Sequence, residues 1–248
     1  MSWDDLPDDL DQFASELRSH TATEVTADGL SMIMAHLKAT WLTQKTMASG
    51  ERGISIPPPR QKGIHPHNSV VERAELKFIF SLGADYEAQY MPRQADFQVC
   101  IGGSLVLDHC AIELEDHWRV DSHIFPPDPP PREPHPYIHF QRGGHAQDSF
   151  SRQPYFVPGQ DLPEMKRDVW RGLMQFPGPR IPFPPHCPIL AIDFAIGQHD
   201  GDIWKTLREQ HGYRSVIKNA QSRIWAPFFD GLQNQAVRQR WMGPVFVT

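Results

Sequence analysis

Phe97-Gln98-Val99-Cys100-Ile101-Gly102-Gly103-Ser104-Leu105-Val106-Leu107 is the stretch whose reading decides the fold class. Phe97, Val99 and Ile101 alternate with Gln98 and Cys100, the period of two that a half-buried strand requires. Gly102-Gly103 stands between two apolar runs, and both positions tolerate the positive φ of a two-residue hairpin turn. The return strand then begins at Leu105. Upstream, Leu76, Phe78, Phe80 and Leu82 alternate with Glu75, Lys77, Ile79 and Ser81. Downstream, Ile112, Leu114, Trp118 and Val120 alternate with Glu113, Glu115, His117 and Arg119. These patterns predict an antiparallel meander with one core face and one wet face. In the register of a Gly-Gly turn, Cys100 faces Leu105 rather than Cys110, so those two cysteines are not expected to form a disulfide.

Helical periods flank the strands. Leu6, Leu10, Phe13, Ala14 and Leu17 predict a helix over 4–19. Leu30, Ile33, Met34, Leu37 and Trp41 predict a second over 27–48, capped by Thr26 or Asp28 and stopped at Gly50. Residues 51–70, with Pro57-Pro58-Pro59, read as a loop. Prolines from Pro126 to Pro136 exclude helix and central strand and make a stiff connector. Residues 137–142 then read as a strand with His135, Tyr137, His139 and Gln141 on one face and Ile138 and Phe140 on the other. Asp161-Leu162-Pro163-Glu164 opens a predicted helix to about Gln175. Ile189–Ile196 reads as a buried helix from Pro188, and further helices follow, the last started or kinked by Pro227. The expected fold is α+β: N-terminal helices (1–50), a central antiparallel meander of about four to five strands (74–142), and a C-terminal helical group (161–242) packed on the sheet, in one domain over 1–248.

Composition narrows the function classes. A net charge of −6 argues against coating nucleic acid. The foothold left for nucleic acid is a C-terminal basic set, Arg214, Lys218, Arg223, Arg238 and Arg240, near aromatic residues. The three cysteines, Cys100, Cys110 and Cys187, are odd in number and widely spaced, which fits a reducing compartment. No apolar run approaches the roughly 18 residues of a membrane span. A cytoplasmic location with no membrane association is expected.

Several residues could carry chemistry. His135, His139 and His145 resemble a metal set, but on a strand His135 and His139 stand about 13 Å apart, too far to share an ion. With Tyr137, Gln141 and Arg142 they read instead as the floor of a binding cleft. His65 and His67, two apart on an extended chain, point the same way and are the remaining metal candidates. Asp193 is the one charge in an apolar helix and needs a partner, for which Arg180 is the candidate. With His139 and Arg142 or Arg180 around a phosphate it could also serve a hydrolase or nuclease, and metal-assisted hydrolysis would use the histidines. Cys187, just before a helix beginning at Pro188, sits where a positive helix end favours a thiolate, with His139 as candidate base. No Walker loop, GxSxG or HExxH motif is present, and no cofactor is expected.

The order of helix, meander, proline connector, His135-Pro136, Cys187 and terminal helices resembles that of ubiquitin-conjugating enzymes. That resemblance implies a thiol-dependent transferase using Cys187. Where that family has His-Pro-Asn close to its cysteine, this chain has His135-Pro136-Tyr137 with Cys187 far downstream. The leading expectation is a noncatalytic binding or accessory protein of a prokaryotic cytoplasmic system, acting through a protein partner. Proline-rich segments and aromatic side chains suit interaction surfaces.

Overall fold

The structure is a computed structural model that describes residues 2–51, 53–60, 63–83, 92–107, 111–122, 138–142, 170–174 and 186–242. A 3-10 turn at Trp3–Asp5 leads into α1 (Leu6–Arg18). Pro7 lies in its first turn, Asp8 and Asp9 sit at its positive end and Arg18 at its negative end, all matched to the helix dipole. Its stripe of Leu6, Leu10, Phe13, Ala14 and Leu17 is buried. The second helix, α2 (Glu24–Gln44), buries Leu30, Met34, Leu37 and Trp41. It starts before Thr26 because a 3-10 turn at Thr21–Thr23 feeds it. It ends at Lys45, in the left-handed region at φ 52°, rather than at Gly50. That earlier stop releases Thr46–Ala48 to pair as a strand.

Among the described residues, seven strands form one sheet: β1 (Thr46–Ala48), β2 (Ile54–Ser55), β3 (Val70–Ser81), β4 (Gln94–Val106), β5 (Ala111–Ser122), β6 (Ile138–Arg142) and β7 (Trp170–Leu173). Their order is β1-β3-β4-β5-β6, with β2 also on β3 and β7 also on β5. Every pairing is antiparallel except β7 on β5, which is parallel. The expected antiparallel sheet, N-terminal helices and C-terminal helical group are all present. The sheet is wider than expected because two short strands pair along β3 and β7 joins β5.

Gly102-Gly103 is not a turn. β4 runs straight through it, pairing Gly102 with Arg73 and Glu115, and Gly103 with Val71 and Leu114. Close approach, not positive φ, explains the pair. A Cβ on Gly103 would lie 2.1 Å from the Val70 carbonyl oxygen, and one on Gly102 would lie 2.7 Å from the Arg73 guanidinium. A bulge between Val71 and Arg73 on β3 sits at the same place. Cys100 consequently faces Glu75 and His117, not Leu105.

Most of the helix expected from Asp161 to about Gln175 lies outside the described residues, and the part that is described is corrected. Trp170–Leu173 is a strand beside Ile112–Glu115, and the Met174 amide donates to the Glu115 carbonyl at 2.8 Å. Among the described residues, β6 covers Trp118–Ser122 on that side of β5, and the first half of the strand has backbone groups for β7 to satisfy. Helix propensity is a weak prior against such pairing.

Among the described residues, four helices follow: α3 (Pro188–His199), α4 (Gly201–Glu209), α5 (His211–Gln233) and α6 (Gln235–Met242). Pro227 lies inside α5 rather than at a helix start. Asp200 caps α4, accepting from the amides of Asp202 and Ile203 at 3.0 and 3.2 Å. The helices lie on the apolar face of the sheet. Phe194 of α3 meets Trp118 edge-on at 5.7 Å, and Trp41 of α2 stacks on Phe80 at 5.9 Å. Each fully buried aromatic of this kind contributes about 1.5–3 kcal/mol. Among the described residues, no helix is long and apolar enough to cross a membrane.

Candidate functional site

Alternation along the strands leaves the other face of the sheet polar, and this face carries the candidate site. Lys77 and Ile79 come from β3, Asp96 and Gln98 from β4, Arg119 and Asp121 from β5, and His139 and Gln141 from β6. Register sets them in rows: Lys77 beside Gln98 beside Arg119 beside Gln141, and Ile79 beside Asp96. Asp121 pairs with His139, and the same register continued past Phe97–Val120 brings Asp96 opposite Asp121. A cleft of about 580 Å³ opens over these rows, lined by Lys77, Ile79, Asp96, Gln98, Arg119 and Asp121. Its wall is the segment Ala48–Glu51. Ser49 holds that wall in place, donating its amide to the Phe78 carbonyl and accepting the Phe78 amide on Oγ, both at 3.0 Å.

Arg119, Asp121, His139 and Asp96 are fixed by neighbours. Arg119 Nε is 2.7 Å from the Asp121 carboxylate and donates to Gln141 Oε1 at 2.8 Å, and its terminal nitrogen also donates to Gln141. His139 Nε2 is 3.6 Å from Asp121 Oδ2, an ion pair whenever the imidazole is protonated. Asp96 accepts from Gln94 Nε2 at 2.5 Å and from the Ser122 amide at 3.3 Å. Two side chains on adjacent strands are rigid to within their rotamers, so the cleft presents charges of both signs in fixed places.

The residues expected from the sequence are distributed differently. His139 and Gln141 lie on this polar face, as the strand period predicts. Arg142 does not: it turns to the core face and pairs with buried Asp116 at 2.6 Å. His135, Tyr137, His145 and Arg180 lie outside the described residues. His65 and His67 are exposed, and no group of three or more His, Cys, Asp or Glu among the described residues could hold a metal ion.

Asp193 sits at a helix junction. Its Oδ1 accepts from Trp204 Nε1 at 2.9 Å and Tyr213 OH at 2.8 Å, and its Oδ2 from Arg208 at 2.5 Å. Burial pushes its carboxyl up, opposed by Arg208 and the two hydrogen bonds. These contacts tie α3, α4 and α5 together. Cys187 precedes α3 as expected, but it is buried. Burial pushes its thiol up to about 12, outweighing the Leu190 and Ile189 amides that favour the thiolate. The helix end therefore does not activate it. Neighbouring His186 is also buried, which lowers it to about 3.

The C-terminal basic set divides. Arg214 and Lys218 are exposed on α5. Arg223 is not part of that surface: it is buried, pairs with Asp9 of α1 and donates to the Ser2 carbonyl at 3.0 Å. Its period on the helix, one turn past Ala220, places it inward. Arg238 is half-buried, and the Arg240 side chain lies outside the described residues.

No protein-family model, curated protein or solved structure matches this chain. The site rests on its geometry. Lys77, Gln98 and Arg119 were visible as the wet positions of predicted strands. Asp96 and Asp121 extend the same alternation by one step each, and that extension was the signal available for them. Glu51 gave none, since a loop residue acquires its neighbours from the tertiary fold.

Proposed function

We propose that this chain is a noncatalytic binding or accessory protein that engages a protein partner through the polar face of its sheet. The observation that carries the reading is the cleft over β3, β4 and β5, where Lys77, Asp96, Arg119 and Asp121 are held on strands around about 580 Å³ of open space. Groups fixed in this way recognise a complementary surface without first being ordered, which lowers the entropy cost of binding. A cytoplasmic setting fits the odd number and wide spacing of the cysteines. Arg214 and Lys218 remain available as a minor anionic contact.

The thiol-transferase reading draws no support from Cys187, whose burial disfavours the thiolate. The hydrolase reading draws none from Asp193, whose carboxylate is occupied by three donors. The test is retention of a stoichiometric partner by the tagged full chain at native expression level, compared with Gln98→Arg, which fills the cleft. Loss of the partner in the folded variant is expected. A partner retained equally by both, or none at all with the wild type, overturns the reading.

A further inference from the structure

Among the described residues, some charged groups of the cleft form no ion pair. Arg119 is committed to Asp121 and Gln141. Lys77, Asp96 and Glu51 form no ion pair among the described residues, although all three line the same cleft. Lys77 is opposite Gln98 and Ile79 is opposite Asp96, so Lys77 and Asp96 are diagonal neighbours on β3 and β4. Diagonal neighbours on an antiparallel pair stand about 7–8 Å apart. In an extended peptide, side chains at i and i+2 share one face about 6.6–7 Å apart. The two spacings match. Two residues from Lys77 and opposite Asp96, Ile79 is 45% exposed and offers an apolar contact to the peptide backbone and small side chains.

We infer that the cleft takes an extended segment of the partner protein bearing an acidic and a basic side chain two residues apart, the acid on Lys77 and the base on Asp96. This rests on the binding reading above and specifies the chemistry of its ligand. Opposed charges also set the direction of the segment, because reversal would bring like charges together.

The probes are two capped isomeric pentapeptides, acetyl-Ala-Glu-Ala-Lys-Ala-amide and acetyl-Ala-Glu-Lys-Ala-Ala-amide. Only the first places both charges on one face when extended. Binding to the full chain is followed by two-dimensional amide NMR titration. The first peptide should saturate with shifts centred on β3 and β4, and bind at least about fivefold more tightly than the second. Lys77→Gln and Asp96→Asn should each weaken it about fivefold, the effect of removing one half-exposed ion pair, while Lys77→Arg should retain it. Unchanged thermal melts keep these losses separate from misfolding. Equal affinity for the two isomers, or undiminished binding by Lys77→Gln, overturns the proposal. So does the absence of saturation by either. If the tagged wild type still holds a partner that Gln98→Arg releases, such a failure rejects this ligand chemistry and leaves the docking surface standing.

Discussion

Arg73 reaches Glu115 at 3.3 Å by laying its guanidinium across the bare backbone of Gly102, so an ion pair links β3 to β5 over the intervening strand. The two adjacent glycines therefore serve different neighbours. Gly103→Ala would drive its Cβ to 2.1 Å from the Val70 carbonyl oxygen. Backbone cannot step aside, and the variant should lose about 1–3 kcal/mol. Gly102→Ala meets the far end of a flexible side chain and should cost under about 1 kcal/mol, the worth of an exposed ion pair. Urea unfolding of both variants checks this, and equal losses would refute the distinction.

The junction of α3, α4 and α5 depends on one carboxylate. Asp193→Ala leaves Arg208 without its buried partner and removes the acceptor of Trp204 and Tyr213. A loss of about 3–5 kcal/mol is expected for breaking such a pair. Asp193→Asn, which keeps an acceptor oxygen, should lose less. Chemical denaturation measures both, and an alanine variant within about 1 kcal/mol of wild type would show that the junction does not depend on this group.

Acid should destabilise the protein before ordinary carboxylates titrate. His199 is buried, which lowers it from 6.5 to about 4, opposed by its contact with the Pro57 carbonyl at 2.9 Å. His186 is lowered to about 3 by burial. Both are depressed, so the unfolded chain binds more protons than the folded one below pH 6.5, and stability falls as pH falls. The stabilisation is complete above about pH 6.5 and is lost progressively toward pH 4 for His199 and pH 3 for His186. By pH 5 each should have cost on the order of 2 kcal/mol. Denaturation midpoints between pH 7.5 and 5 should show this slope, and His186→Leu should remove about half of it. A flat profile would contradict the burial of both rings.

Cys187 should resist alkylation in the folded protein. A thiol held at about 12 rather than 9.0 has about a thousandfold less thiolate at neutral pH. Iodoacetamide labelling followed by peptide mass mapping should modify this position only after denaturation. Rapid native labelling at Cys187 would revive the transferase reading.

The strand and helix faces were legible because side-chain period is local. Alternation at Leu76–Leu82, Phe97–Ile101 and Ile112–Val120, and the 3.6-residue stripes of α1 and α2, need no knowledge of distant chain. The inward Phe140 and outward His139 and Gln141 followed in the same way. Arg142 failed the extrapolation because its own parity sends it to the core face, where Asp116 waits. Gly102-Gly103 failed because a strand crossed closely by its neighbour and a tight turn both favour glycine, and only the β3–β4 pairing separates them.

By itself, then, the sequence determined the class of fold, the positions of its apolar stripes and which strand face would be wet. The tertiary structure alone decided where β7 attaches, which cations satisfy Asp9, Asp116 and Asp193, and that the wet face closes into a cleft. The physical reason is range: periodicity is set by backbone geometry between neighbours in sequence, whereas register and burial bring together residues such as Glu51, Lys77, Asp96 and Arg119 that are far apart along the chain.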